Sequence, residues 1–316
     1  MSTQSMRRVA PWLLGLGLGI IAARASYRPL YYTRLMLTSF RQPLWRSPTD
    51  VGLSYTNVAF ASSDGTLLQG WFIPRIDATD RPAPTVLFVH GWPWNRLGNR
   101  AGSTLMPDRT VDFLEPAAAL HRAGFHVLLF DLRNHGTSAA AIPVTFGVNE
   151  SRDVIGAIAM LRQRADVDSE RIGIIGYSMG ANALLYAVPQ CQPIRAAIAV
   201  QPVHAITFAR NFVRSELGAI GPLAIRLVGP LHQACGAPPL RNIDPAVPAQ
   251  ALGSTVVQYI QGSGDPWGAI ADIRRIVAAT PQTLPLIIAP STERYGGYLY
   301  INKRLDAVVE FFGRYL

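Results

Sequence analysis

The stretch Gly176-Tyr177-Ser178-Met179-Gly180 constrains this chain more than any other. It follows a short apolar run over residues 172–175, of the kind expected for a buried parallel strand. It precedes an Ala- and Leu-rich segment, residues 180–188, that reads as a helix. A serine at such a junction sits on a sharp strand-to-helix turn, with its hydroxyl held clear of the sheet. The flanking glycines are needed because a side chain there would clash. The N–H of Met179 then opens a helix and is aimed where an oxyanion would form. Ser178 is therefore the candidate nucleophile, and Met179 a candidate oxyanion donor.

Strand and helix patterns alternate on either side of this turn. Residues 54–61 and 66–73 read as two strands, and Ser63-Asp64-Gly65 between them is a hairpin signal. Residues 85–89, 126–130 and 196–200 are further buried strands, and 256–260 and 284–289 complete the set. Helices are expected at 111–122, 150–164, 267–278 and 299–315. Strands alternating with helices imply an α/β fold with a doubly wound, mainly parallel sheet. The rhythm breaks at about residues 203–250, where helical patterns mix with Pro and Gly. This reads as a short helical cap inserted over the sheet, with Arg210, Arg214 and Arg226 interleaved among apolar residues.

His90-Gly91-Trp92-Pro93 follows the strand that ends at Val89, and Gln261-Gly262-Ser263-Gly264-Asp265-Pro266 follows the strand at 256–260. With the Ser178 turn, these stretches resemble the α/β-hydrolase superfamily of esterases, lipases and related serine hydrolases, from about residue 54 to the C-terminus. The resemblance implies that the N–H of Trp92 is the second oxyanion donor and that Asp265 is the acid of a catalytic triad. It also implies that Asp131 to Ser138, with Glu150 and Asp153, has a bracing role. The corresponding domain division is 1–50, an N-terminal membrane anchor and basic linker, and 51–316, the α/β-hydrolase domain.

In that family the order is Ser, acid, His, and the histidine follows the last strand. Here that stretch reads Ser291-Thr292-Glu293-Arg294-Tyr295-Gly296-Gly297-Tyr298, and all six histidines precede Asp265. A serine hydroxyl without a partner to take its proton is a weak nucleophile. Three readings follow. The domain is a non-catalytic binder of a ligand or partner. Or Glu293 replaces the histidine and shares a proton with Asp265, an arrangement that resembles the sedolisin peptidases and favours acid pH. Or His204 or His232 reaches over from the insertion. The function expected is a serine hydrolase acting on an ester, acyl or lipid-like small molecule, without cofactor or metal.

Charge bears on partners. The net charge is +9, but seven arginines lie in the first 50 residues against one acid, Asp50. They flank an apolar run over residues 9–23, with Tyr27, Tyr31 and Tyr32 beyond it. That pattern predicts a single-pass N-terminal membrane anchor or, alternatively, a signal segment removed on export. It points to a membrane rather than to nucleic acid, for which no motif is present. Cys191 and Cys235 form no metal-type cluster, and their pairing is left open.

Overall fold

The protein is described here by a computed structural model covering residues 27, 30–76, 81–102 and 109–316. Residues 30–38 form a helix, α1. The first alternating segment becomes a hairpin. β1 (Thr56–Ala61) and β2 (Leu67–Ile73) pair antiparallel, with Thr56 opposite Phe72 and Ala61 opposite Leu67. Its turn is closed by the Ser62 amide, which donates to the Thr66 carbonyl at 2.8 Å, and Gly65 sits at a φ of 87°.

The chain then alternates. β3 (Ala83–Val89) is followed by a small ribbon of β4 (Gly98–Asn99) and β5 (Val111–Asp112), then α2 (Leu114–Arg122) and β6 (His126–Asp131). After these come α3 (Glu150–Arg162), β7 (Val167–Tyr177), α4 (Met179–Ala187) and β8 (Ala196–Val200). Helices α5 (Ala205–Leu217), α6 (Gly221–Ala234) and α7 (Ala246–Ala249) precede β9 (Val256–Gly262) and α8 (Ile270–Ala279). β10 (Ile287–Ala289), α9 (Gly296–Lys303) and α10 (Leu305–Tyr315) end the chain.

Eight strands make one sheet in the order β1-β2-β6-β3-β7-β8-β9-β10. β2 runs antiparallel to both of its neighbours, and the ladders from β6 through β10 are parallel. Every residue of β6 and β8 is buried, so the sheet is covered on both faces. Alternate side chains divide between two cores. Leu87, Leu128, Ile174 and Leu184 lie in one, and Phe88, Leu129, Ile175 and Phe312 in the other. Each fully buried side chain of this size stabilises the fold by about 1.5–3 kcal/mol.

Helix ends depart from the periodicity where backbone geometry intervenes. The helix expected from residue 111 starts at Leu114, because Val111 and Asp112 pair with Asn99 and Gly98. The carboxylate of Asp112 then accepts the Leu114 amide at 2.8 Å. The expected terminal helix is split at Arg304 (φ −131°, ψ 53°) into α9 and α10.

Buried ion pairs brace the loops at the sheet's edge. Arg96 donates through Nε and Nη2 to Asp131 at 3.0 and 2.6 Å. Arg133 donates to Asp153 at 2.9 and 2.7 Å and to Asp64 at 2.8 and 2.9 Å. Cys191 is buried, Cys235 is exposed, and both are free thiols.

The single-pass anchor expected over residues 9–23 lies outside the described residues. Among the described residues no helix is long and apolar enough to cross a membrane, and the assignment as a single-pass membrane protein is corrected on that finding.

Candidate active site

The strand β7 runs straight into the turn at Ser178. Ser178 takes φ 51° and ψ −114°, a conformation that L-residues rarely adopt, and its carbonyl accepts the Asn182 amide in the first turn of α4. Its own amide donates to the Val200 carbonyl at 2.8 Å, which ties the turn to the end of β8. The flanking glycines are sterically required. A Cβ at Gly180 would run into the carbonyls of Val89 and His90, and one at Gly176 into Leu184 and the Gly180 carbonyl. Gly91 leaves a Cβ-sized gap only 3.3 Å from the Ser178 Cβ, so the loop after β3 crosses directly beside the nucleophile. Trp92 follows on that loop, and Met179 is the first residue of α4. Both are buried.

Above Ser178 is a cavity of about 10 Å³, lined by Ser178, Gln201, Phe208, Asp265, Trp267, Arg294 and Tyr298 among others. That is room for roughly one water. α5 closes it. Phe208 and Phe212, one helical turn apart, pack on Trp92 with ring centroids 5.9 and 5.4 Å away and on Trp267 at 5.7 and 4.9 Å. α1 braces the lid from outside. The Tyr32 ring meets Phe212 at 5.6 Å, and its hydroxyl donates to Glu216 at 2.6 Å.

Asp265 lies in this cavity, but its carboxylate is occupied by amides. Gln201 Nε2 donates to Oδ2 at 2.8 Å, Gln261 Nε2 approaches the same oxygen at 3.4 Å, and the Trp267 backbone amide donates to Oδ1 at 3.0 Å. Gln201 is itself fixed. It sits at φ 50°, its amide donates to the Ile260 carbonyl, and its Oε1 accepts the Gly297 amide at 3.0 Å. A Cβ at Gly297 would collide with that Oε1, so the glycine lets the two loops touch.

The structure does not bring Glu293 to Ser178 or Asp265. Glu293 is half-exposed, and Arg109 grips its carboxylate through Nε at 2.8 Å and Nη2 at 2.7 Å. That guanidinium holds the Glu293 carboxyl below its usual range. Two carboxylates sharing a proton are therefore absent from this geometry. The histidines are also elsewhere. His204 Nε2 meets the Arg241 carbonyl at 3.1 Å, and His232 Nε2 meets the Val144 carbonyl at 2.6 Å. His90 accepts the Leu132 amide and donates to the Gly91 carbonyl, and His135 donates to the Arg133 carbonyl. Burial lowers their ring pKa values to about 4 and about 3, which keeps both rings neutral. Among the described residues no group of three His, Cys, Asp or Glu converges as a metal site.

The residue facing the nucleophile from the stretch after the last strand is Tyr298, which sequence reasoning missed. It is 2% exposed, in the first turn of α9. Burial pushes its phenol up to about 12, and it lines the cavity together with Ser178 and Arg294. Arg294 is 9% exposed, and its guanidinium stacks 3.6 Å above the Trp267 ring. The available signal was positional. Tyr298 stands in the stretch where a histidine was sought, and a phenol is a proton-transferring group too.

Comparison with known proteins agrees with this fold. A family model described as the alpha/beta hydrolase family matches residues 86–313. A Salmonella typhimurium protein, YfhR, is 34% identical over 138 residues, covering 43% of this chain and 41% of that one. The thiohydrolase aneE of Aspergillus aculeatus is 26% identical over 168 residues, covering 53% of this chain and 48% of its own. The chain thus spans about half or less of the length of these relatives. The Pyrococcus furiosus esterase Pf2001 superposes with a TM-score of 0.64 at 22% identity, covering 87% of this chain and 97% of that one, a likeness of fold. The matched region runs from β3 through α10 and contains the Ser178 turn, the Asp265 loop and the Tyr298 stretch, and on that match this chain belongs to the alpha/beta hydrolase family.

Proposed function

We propose that this protein is a serine hydrolase that cleaves an ester, thioester or related acyl bond by attack of Ser178 on the acyl carbonyl. The strained conformation of Ser178 carries the reading. A φ of 51° on a residue other than glycine costs about 1–3 kcal/mol and persists where the surroundings impose it, typically at functional sites. The N–H groups of Trp92 and Met179 stabilise the oxyanion, at a turn and at a helix N-terminus where donors are already oriented. Asp265 holds the Gln201 amide and the Trp267 loop against the nucleophile, and its charge offsets Arg294 across the cavity. Phe208, Val203 and Trp267 give the rest of the cavity an apolar lining. A thiohydrolase among the relatives is in keeping with thioesters as substrates.

A fluorophosphonate probe tests the reading. Labelling of the wild-type protein, with none in Ser178→Ala, is the expected result. A second reading, a non-catalytic ligand-binding hydrolase fold, is favoured by one observation: the small volume, about 10 Å³, of the cavity above the serine. It predicts no labelling at any pH from 6 to 10.5.

A further inference from the structure

The hydrolase reading leaves the proton of the Ser178 hydroxyl without a histidine to receive it. Resting on that reading, we propose that Tyr298 is the catalytic base, with the Arg294 guanidinium stabilising its phenolate. Three observations place it there. Tyr298 comes from the stretch after β10, the side from which the acid loop and the nucleophile turn are both reached. It lines the same small cavity as Ser178 and Arg294, and the Arg294 guanidinium lies 6.0 Å from the Tyr298 ring centroid, so a proton donor and a cation border the phenol together. Tyr298 is 2% exposed and Arg294 9%, and between groups so withdrawn from water a guanidinium acts on a phenolate more strongly than it would in solution.

The packing holds this pair in place. Trp94 meets the Tyr298 ring edge-on at 4.9 Å, and the Trp267 face carries Arg294. The Gly296-Gly297 pair lets the chain turn into α9 against Gln201 and Gly262 without side-chain bulk. The groups facing the phenol are Ser178 on the β7–α4 turn, Asp265 on the β9 loop, Arg294 and Tyr295 before α9, and Tyr177 at the end of β7. Asp265 opposes the phenolate and Arg294 favours it. Tyr177 lies without a polar partner and stays neutral, because burial drives its phenol far up.

The steps balance. The phenolate oxygen of Tyr298 takes the proton of Ser178 as Oγ bonds to the acyl carbon. The carbonyl π electrons move onto oxygen, held by the Trp92 and Met179 amides. Collapse of the tetrahedral adduct breaks the bond to the leaving group, which takes the proton back from the Tyr298 hydroxyl and regenerates the phenolate. Water then repeats the sequence on the acyl-serine, giving its proton to the phenolate, and Ser178 is reprotonated as the carboxylic acid departs. A phenol raised by burial is mostly neutral at pH 7, so turnover is slow there and climbs with pH.

The test is the pH dependence of hydrolysis of a p-nitrophenyl ester, beside fluorophosphonate labelling of Ser178. The wild type should gain about tenfold in kcat/KM per pH unit between 7 and 10. Tyr298→Phe should lose ~100-fold or more at pH 9 and flatten the profile. Fluorinated tyrosine incorporated at position 298 keeps the ring and its packing but makes the phenol more acidic, so the profile should move to lower pH. Arg294→Met should move it to higher pH, and Arg294→Lys should restore part of the shift. If fluorotyrosine leaves the profile in place, or Tyr298→Phe labels at the wild-type rate while Ser178→Ala does not, Tyr298 is not the base and the hydrolase reading stands. If the wild type fails to label anywhere from pH 6 to 10.5, both fall.

Discussion

Phe208 is where packing and access to the site meet, so its truncation has two linked consequences. The side chain is 3% exposed and lines the cavity above Ser178. It touches four aromatic rings: Trp92 at 5.9 Å, Phe146 at 5.1 Å, Phe212 at 5.5 Å and Trp267 at 5.7 Å. Phe208→Ala removes a phenyl ring of roughly 100 Å³. At ~24 cal/mol per Å³ an unrelaxed void of that size costs about 2.4 kcal/mol, and the lost transfer energy brings the total to about 3–5 kcal/mol. The same void joins the cavity over the nucleophile, whose volume is now about 10 Å³. Stability should be read from the urea midpoint at constant slope. Chain-length preference should be read from kcat/KM for p-nitrophenyl acetate, butyrate and octanoate. The expectation is a protein that is less stable yet relatively better with the longer esters. Stability within about 0.5 kcal/mol of wild type, with chain-length preference unmoved, would refute the claim that Phe208 of α5 limits the space over the site.

Other expectations follow from single contacts. Arg133→Met leaves Asp153, which has no exposed surface, without its buried partner, and should cost about 3–5 kcal/mol in denaturant unfolding. Gly180→Val should abolish esterase activity and lower the melting temperature, because its side chain meets the Val89 and His90 carbonyls. Glu293→Gln should change kcat/KM less than about twofold and leave the pH profile in place, since its carboxylate serves Arg109 at the surface. Finally, His90 and His135 are held neutral, with ring pKa values lowered to about 4 and about 3. The unfolded chain binds their protons first, near pH 6.5. Their stabilisation is therefore intact above 6.5 and is lost as pH falls toward 4, by about 1.4 kcal/mol per pH unit for each ring. Urea midpoints that stay flat from pH 6.5 to 4.5 would contradict this.

What was legible in the residues was whatever depended on local sequence. The Ser178 turn declared itself because strand, glycine, serine and helix must be consecutive to make it. The buried strands declared themselves by unbroken apolar runs such as Val127 to Phe130. Element ends did not, because they are decided by partners far along the chain: Val111 pairs with Asn99, and Arg304 breaks a helix that periodicity alone would continue. The proton-transfer group was hidden for the same reason. A search for histidine type after the last strand passes over Tyr298, whose relevance rests on Ser178, 120 positions away in sequence, lining the same cavity. Glu293 was placed by position along that stretch, and Arg109 draws it outward. Gln201, which occupies the Asp265 oxygen, carries no motif at all.

Whether Ser178 is a nucleophile is tested most directly by mass spectrometry of the protein after exposure to a fluorophosphonate at pH 9. The account predicts one adduct per chain, carried on the peptide that contains Ser178, absent from Ser178→Ala and formed far more slowly in Tyr298→Phe. An adduct on another residue, or an unmodified Ser178 peptide after prolonged exposure, would contradict it.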